Sequence, residues 1–172
     1  AASAILMEAQ TGRVIYAVNE HEKRPMASTT KIMTTLLTLE SGDLDEKFTI
    51  DSRALITEGS SMYLHEGDRV TKRALCYGMM LPSGNDAANQ TAVMLAENTD
   101  NFAVMMNERA SEIGMKNTNF VTPSGLHDDN HYSTAYDMAL LAREALQNDL
   151  FREVCSTQRA KIRFGNPPYE RW

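Results

Sequence analysis

Few residues in this chain can carry redox chemistry: it has two cysteines and one tryptophan in 172 residues, and aromatics make up only 7%. Cys76 and Cys155 stand among apolar neighbours (Leu75, Tyr77, Val154), which predicts buried structural thiols rather than a disulfide or a ligand pair. Long apolar runs are absent as well. No stretch approaches the roughly 20 residues needed to cross a bilayer, and no basic segment leading into an apolar one opens the chain. A chain of this kind is either cytosolic or already processed, and composition does not choose between the two. Basic clusters are also missing. With 17 Lys and Arg against 23 Asp and Glu, the net charge of -6 excludes a nucleic-acid partner, which requires concentrated positive potential.

What is present is an ordinary globular balance, 42% hydrophobic and 23% charged, at a length that suits one domain with a real core. Residues 3–8 and 13–18 alternate as strands around the turn Gln10-Thr11-Gly12, so the first 20 residues read as a β-hairpin. From Ser28 to Glu40 the apolar spacing becomes helical, and Ser41-Gly42 ends it. Short extended pieces, small strands or loop edges, are expected near Phe48–Ile50 and Met62–Leu64. Further helices are predicted over Thr71–Leu81, Asp86–Glu97 and Asn101–Ile113. Another starts at Thr134, with Asp137 completing an acidic capping-box variant. Residues 28–150 are thus mostly helical, and 151–172 read as a strand-like tail centred on Lys161–Phe164. A lone hairpin cannot form a stable sheet. The expectation is therefore a single domain, 1–172, whose sheet is incomplete within this sequence.

The chemistry-bearing pattern begins at Ser28-Thr29-Thr30-Lys31. Residues i and i+3 share a helix face, so the Ser28 hydroxyl and the Lys31 amine can meet. A serine attacks a carbonyl only when a base takes its proton, and a lysine serves only when burial or positive charge lowers its pKa. Taken alone, Ser28 also reads as a plain N-cap. The second element is Ser83-Gly84-Asn85, in the turn after Leu81-Pro82. It reads structurally as a link between two helices. Functionally, its hydroxyl can relay a proton and its amide can both donate to and accept from a substrate.

Together the two elements resemble the serine D-alanyl-D-alanine carboxypeptidases, low-molecular-mass penicillin-binding proteins. The resemblance rests on Met26-Ala27-Ser28-Thr29-Thr30-Lys31-Ile32-Met33-Thr34 and on Leu81-Pro82-Ser83-Gly84-Asn85-Asp86-Ala87-Ala88. It continues through Met106-Asn107-Glu108-Arg109-Ala110 with Gly114-Met115, and through Thr122-Pro123-Ser124-Gly125-Leu126 with His131-Tyr132-Ser133-Thr134. It implies an α+β fold of the β-lactamase/transpeptidase type, a helical subdomain packed on an antiparallel sheet. It also implies an acyl-enzyme that removes the terminal D-alanine of peptidoglycan stem peptides and is trapped by β-lactams, with no metal or other cofactor. Carried over by position, Ser28 is the nucleophile, Lys31 the base, Ser83 the proton relay and Asn85 a substrate-binding side chain, with the Ser28 backbone N–H as half of an oxyanion hole. An extracytoplasmic location follows, with membrane attachment only through a C-terminal anchor beyond Trp172.

Two departures stand out. No Lys, His or Arg is followed by Ser/Thr-Gly, so the third wall of such a site is expected after Trp172, and Met26 replaces the family's usual proline. Two other readings stay open: a β-lactamase, and a penicillin-sensing or wall-binding module without turnover. The missing E-x-x-L-N element and the Ser-Gly-Asn spelling favour the carboxypeptidase over the β-lactamase. Elsewhere, His127-Asp128-Asp129-Asn130-His131 reads as a polar loop rather than a metal site. The eleven methionines read as core filler, and Asp43, Asp45 and Glu46 as a solvated turn.

Overall fold

The computed structural model describes residues 1–171. Strands β1 (Ala4–Met7) and β2 (Val14–Val18) form the expected antiparallel hairpin. Its turn is organised by Glu8, whose carboxylate accepts from the N–H groups of Gln10 and Thr11 and from the Thr11 hydroxyl. Leu6, Ile15 and Tyr16 on this hairpin are more than half exposed, so much of its apolar surface is unpaired within residues 1–171.

Helix α1 (Lys31–Glu40) is the centre of the molecule. Eight of its ten residues are buried, because α2 (Lys72–Met80), α3 (Asn85–Ala96), α5 (Ala135–Ala145) and α6 (Asp149–Ser156) all pack against it. A helix buried nearly all round must satisfy its polar side chains internally. Two of its threonines do so: the Thr34 hydroxyl donates to the Pro123 carbonyl and that of Thr38 to the Thr34 carbonyl, both at 2.6 Å. Met33, Leu36, Leu75, Met79, Phe102, Met106 and Leu141 fill the core, with α4 (Thr99–Ile113) covering one side, so several of the methionines are core filler as expected.

Side-chain caps set where the helices begin. Thr71, Asn98, Thr134 and Asn148 each accept a backbone N–H from the first turn that follows, which satisfies donors the helix cannot. Thr134 caps α5 as its sequence predicts, but the reciprocal half of the capping box is not made. The Asp137 carboxylate turns instead to the Asn117 N–H at 2.7 Å and the Thr118 hydroxyl at 2.8 Å, bracing the preceding loop.

Three expectations are corrected and one is narrowed. The run from Ser28 opens with a tight 3₁₀ turn, Ala27–Thr30, before α-helical geometry starts at Lys31. Of the two readings of Met62–Leu64, a small strand or a loop edge, the structure takes the loop edge: the N–H groups of Met62 and Leu64 are spent on the Asp86 carboxylate, while β3 (Lys47–Thr49) pairs with β4 (Arg69–Thr71). Residues 149–156 form helix α6 rather than the start of a tail, with Asn148 capping and Phe151 and Val154 buried one turn apart. Finally, Cys76 is buried but Cys155 is exposed, because it sits on the outer side of α6. After α6, β5 (Ile162–Phe164) and β6 (Tyr169–Arg171) form a small hairpin around the predicted Lys161–Phe164 segment. Trp172, the end of the predicted tail, lies outside the described residues. The three two-stranded ladders are separate, and among the described residues no helix is long and apolar enough to cross a membrane.

Candidate active site

The tight turn before α1 decides how Ser28 is presented. Ser28 is exposed while Lys31, one turn on, is buried at 1% exposure, so the serine faces solvent and the amine reaches it from within. Lys31 Nζ lies 3.3 Å from Ser28 Oγ and donates at 2.7 Å to the carbonyl oxygen of Ser124. Ser28 lies inside the 3₁₀ turn, with Met26 at that turn's N-cap and Thr30 at that of α1, so the plain N-cap reading of Ser28 does not hold.

Burial drives the Lys31 pKa down from 10.5 to about 8, against an upward pull from the charge of Asp86. Taking the ammonium out of water disfavours its charged form, which brings the amine within reach of neutral pH as a proton acceptor. Asp86 itself is buried and well bonded: it accepts from Ser61 Oγ at 2.7 Å, from the Met62 and Ala87 N–H groups at 2.9 Å, and from the Leu64 N–H at 3.0 Å. Its charge is therefore spread over four donors, which limits how far it can restore the lysine's proton.

The second element lies at the start of α3. Ser83 holds a left-handed backbone, φ 60°, rare for a residue other than glycine, and its buried Oγ has no hydrogen-bond partner among the described residues. Strain and an unpaired buried hydroxyl each cost stability. The next position admits only glycine for want of space, since a Cβ on Gly84 would come within 3.0 Å of Asp86 Oδ1, the Gly78 carbonyl oxygen and the Met62 nitrogen. Asn85 donates from Nδ2 to the Glu58 carbonyl at 2.7 Å, and its N–H donates to Ser60 O at 2.8 Å, which pins the loop before Met62. The structure thus joins Ser28 and Lys31 by a direct contact. It joins Ser83 and Asn85 to them through the packing of α3 on α1, with no direct bond.

Three contributors went unrecognised in the sequence: Asp86, the Ser124 carbonyl and His131. The segment Thr122–Leu126 rests directly on the nucleophile turn. A Cβ on Gly125 would fall 1.9 Å from the Ala27 carbonyl oxygen, so this contact exists only because residue 125 has no side chain. Residues 127–130 form the expected polar loop, but His131 at its end departs from that reading. His127 and Asp129 are exposed and paired, but His131 is 3% exposed and lies 2.8 Å from Thr30 Oγ1. Among the described residues no three His, Cys, Asp or Glu side chains are gathered as a metal site.

The close approach at Gly125 predicts a large effect from one methyl group. Gly125→Ala is expected to cost about 2–5 kcal/mol, combining a left-handed alanine with overpacking. That amounts to roughly 4–20 °C in Tm for a chain of this size. Gly42 also has positive φ but nothing within 4 Å of its missing Cβ, so Gly42→Ala should show the backbone part alone. Thermal unfolding of both variants checks this; equal losses would mean that the Ala27 contact is not tight.

The sequence and the fold are shared with proteins of known family. The model of the D-alanyl-D-alanine carboxypeptidase family matches residues 1–170. D-alanyl-D-alanine carboxypeptidase DacF of Bacillus subtilis is 37% identical over 168 residues, covering 95% of this chain and 43% of that protein. DacD of Escherichia coli is 37% identical over 160 residues, covering 87% of this chain and 41% of its own. Among solved structures, a D-alanyl-D-alanine carboxypeptidase from Mycobacterium tuberculosis superposes with a TM-score of 0.90 at 30% identity, over 94% of this chain and 62% of the other. A variant of a Streptomyces DD-transpeptidase reaches 0.91 at 32% identity, over 99% and 71%. The chain therefore spans less than half the length of these two curated relatives, and its fold is that of the penicillin-binding DD-peptidases. By sequence match and by fold, the chain belongs to the D-alanyl-D-alanine carboxypeptidase family.

Proposed function

We propose that residues 1–172 carry the nucleophile half of a serine D-alanyl-D-alanine carboxypeptidase that acts on peptidoglycan stem peptides outside the cytoplasmic membrane. The observation that carries this reading is the buried Lys31 amine, lowered to about 8 and 3.3 Å from an exposed serine hydroxyl. The neutral amine takes the proton of Ser28 Oγ as that oxygen attacks the carbonyl between the two terminal D-alanines. The C–N bond then breaks, the departing D-alanine nitrogen gains a proton relayed through Ser83, and an ester to Ser28 remains. Water hydrolyses that ester and the serine is restored. Nδ2 of Asn85 is committed to Glu58, so its Oδ1 is the atom offered to a substrate N–H. A β-lactam carbonyl occupies the same place, which makes penicillin a covalent probe.

The exposed apolar surface of the β1–β2 hairpin supports a further part of this proposal, that strands outside residues 1–172 complete the sheet and bring a Lys-Ser/Thr-Gly element to the site. That element supplies a cation for the substrate carboxylate and the second oxyanion donor. Loss of one oxyanion donor costs about 100- to 1,000-fold in rate. Residues 1–172 alone are therefore expected to label with penicillin at least about 100-fold more slowly than the protein extended through that element. Equal labelling of the two would show that the site is complete without it. Release of free D-alanine from a synthetic stem peptide by the full-length protein tests the activity itself. A protein that acylates but releases no D-alanine over many acylation lifetimes would be a sensor.

A further inference from the structure

His131 is used by nothing in the chemistry above, yet its side chain is bonded both to the nucleophile turn and to the loop that holds Lys31. Its Nδ1 accepts from the Val121 N–H at 2.9 Å and from the Thr122 N–H at 3.3 Å. A backbone N–H can only donate, so Nδ1 must carry the lone pair. The proton then sits on Nε2 and is donated to Thr30 Oγ1, 2.8 Å away. Burial holds the imidazole below its usual pKa, against a smaller upward pull from Asp128, in keeping with this neutral tautomer. The ring also meets Phe120 edge-on, with centroids 5.9 Å apart, which limits its rotation.

Each end of this bridge leads to a reacting group. Thr30 lies between Ser28 and Lys31 on the same turn. Val121 and Thr122 lead into Pro123, held by the Thr34 hydroxyl, and into Ser124, whose carbonyl accepts from Lys31 Nζ. Moving that carbonyl moves the amine's main anchor. We propose that His131 is a positioning residue: by clamping Thr30 to the 121–124 segment it keeps the Ser124 carbonyl on Lys31, and so keeps Nζ in reach of Ser28 Oγ. The proposal rests on the assignment of Ser28 and Lys31 as nucleophile and base.

The two bonds can be tested separately, because an asparagine at 131 places its amide oxygen near Nδ1 while a glutamine places its amide nitrogen near Nε2. Penicillin acylation of the full-length protein, followed by quenched intact mass over a range of concentrations, yields the encounter Kd and the acylation rate constant. His131→Leu is expected to lower the rate constant about 10- to 100-fold, since misplacement by an ångström costs on that order. Kd should stay within about threefold, because the penicillin-facing groups are untouched. His131→Asn should recover part of the rate and exceed His131→Gln, because it keeps the bonds to the segment that carries Lys31's anchor while losing the bond to Thr30. The Asn and Gln pair decides the matter even if the leucine variant does not fold. A leucine variant within twofold of wild type, a loss confined to Kd, or an asparagine variant no faster than glutamine would overturn the proposal while wild-type labelling at Ser28 stands. Wild-type protein that forms no adduct at Ser28 would instead remove the assignment beneath it.

Discussion

Lys31→Ala is expected to reduce penicillin acylation and D-alanine release by about 10²- to 10⁴-fold, the span general-base catalysis contributes. Lys31 Nζ is the one group bonded to Ser28 Oγ among the described hydrogen bonds, so nothing nearby can replace it. The fold should survive, since alanine is the best helix former and the residue removed is a desolvated amine. The pH profile of the parent protein gives an independent check. With a folded pKa of about 8, the neutral amine is a minority at lower pH. The acylation rate should then rise close to tenfold per pH unit up to about 8 and level off above it. Stability follows the same sign. The folded pKa lies below the ordinary 10.5, so between about 8 and 10.5 the unfolded chain holds more protons and stability rises with pH. Lys31→Ala should remove that rise. A flat acylation profile down to pH 6, or a variant that acylates at the parent rate, would send the search for the base elsewhere.

Ser28→Ala should have the largest effect on turnover, because it removes the atom that bonds to substrate. Loss of the nucleophile costs about 10⁶-fold in subtilisin, and a residual rate over water can persist from binding and oxyanion contacts alone. Stability should change by no more than about 0.5 kcal/mol, as expected for an exposed side chain without a capping role. That combination separates a catalytic role from a structural one. Steady-state release of D-alanine, read beside thermal unfolding, measures both. A variant that turns over within tenfold of the parent would rule out Ser28 as nucleophile.

What could be read from the sequence was local. Ser28 and Lys31 are one turn apart, so their meeting follows from helix geometry, and the caps at Thr71 and Thr134 act within three residues of themselves. The strained Ser83 turn was legible only as a motif, since nothing in the letters announces a left-handed serine. What stayed hidden was distant in the chain or had no residue identity. The carbonyl that holds Lys31 comes from Ser124, 93 residues on, and any residue type offers a carbonyl. His131 bonds Thr30 from 101 residues away, and its setting among Asp128, Asp129 and Asn130 hid a buried imidazole inside a polar run. Asp86 shows a third kind of failure. Its four donors come mainly from the 61–64 loop, so the choice there between a small strand and a loop edge was settled by a buried carboxylate claiming the N–H groups a strand would pair.

The most direct test of the central claim is to map where penicillin attaches. Full-length protein is incubated with the drug, quenched, weighed intact and digested for peptide sequencing. The account predicts one equivalent per chain, carried on Ser28 within Ala27-Ser28-Thr29-Thr30-Lys31, and no adduct in Ser28→Ala. An adduct on any other residue, or one that persists after Ser28→Ala, would contradict it.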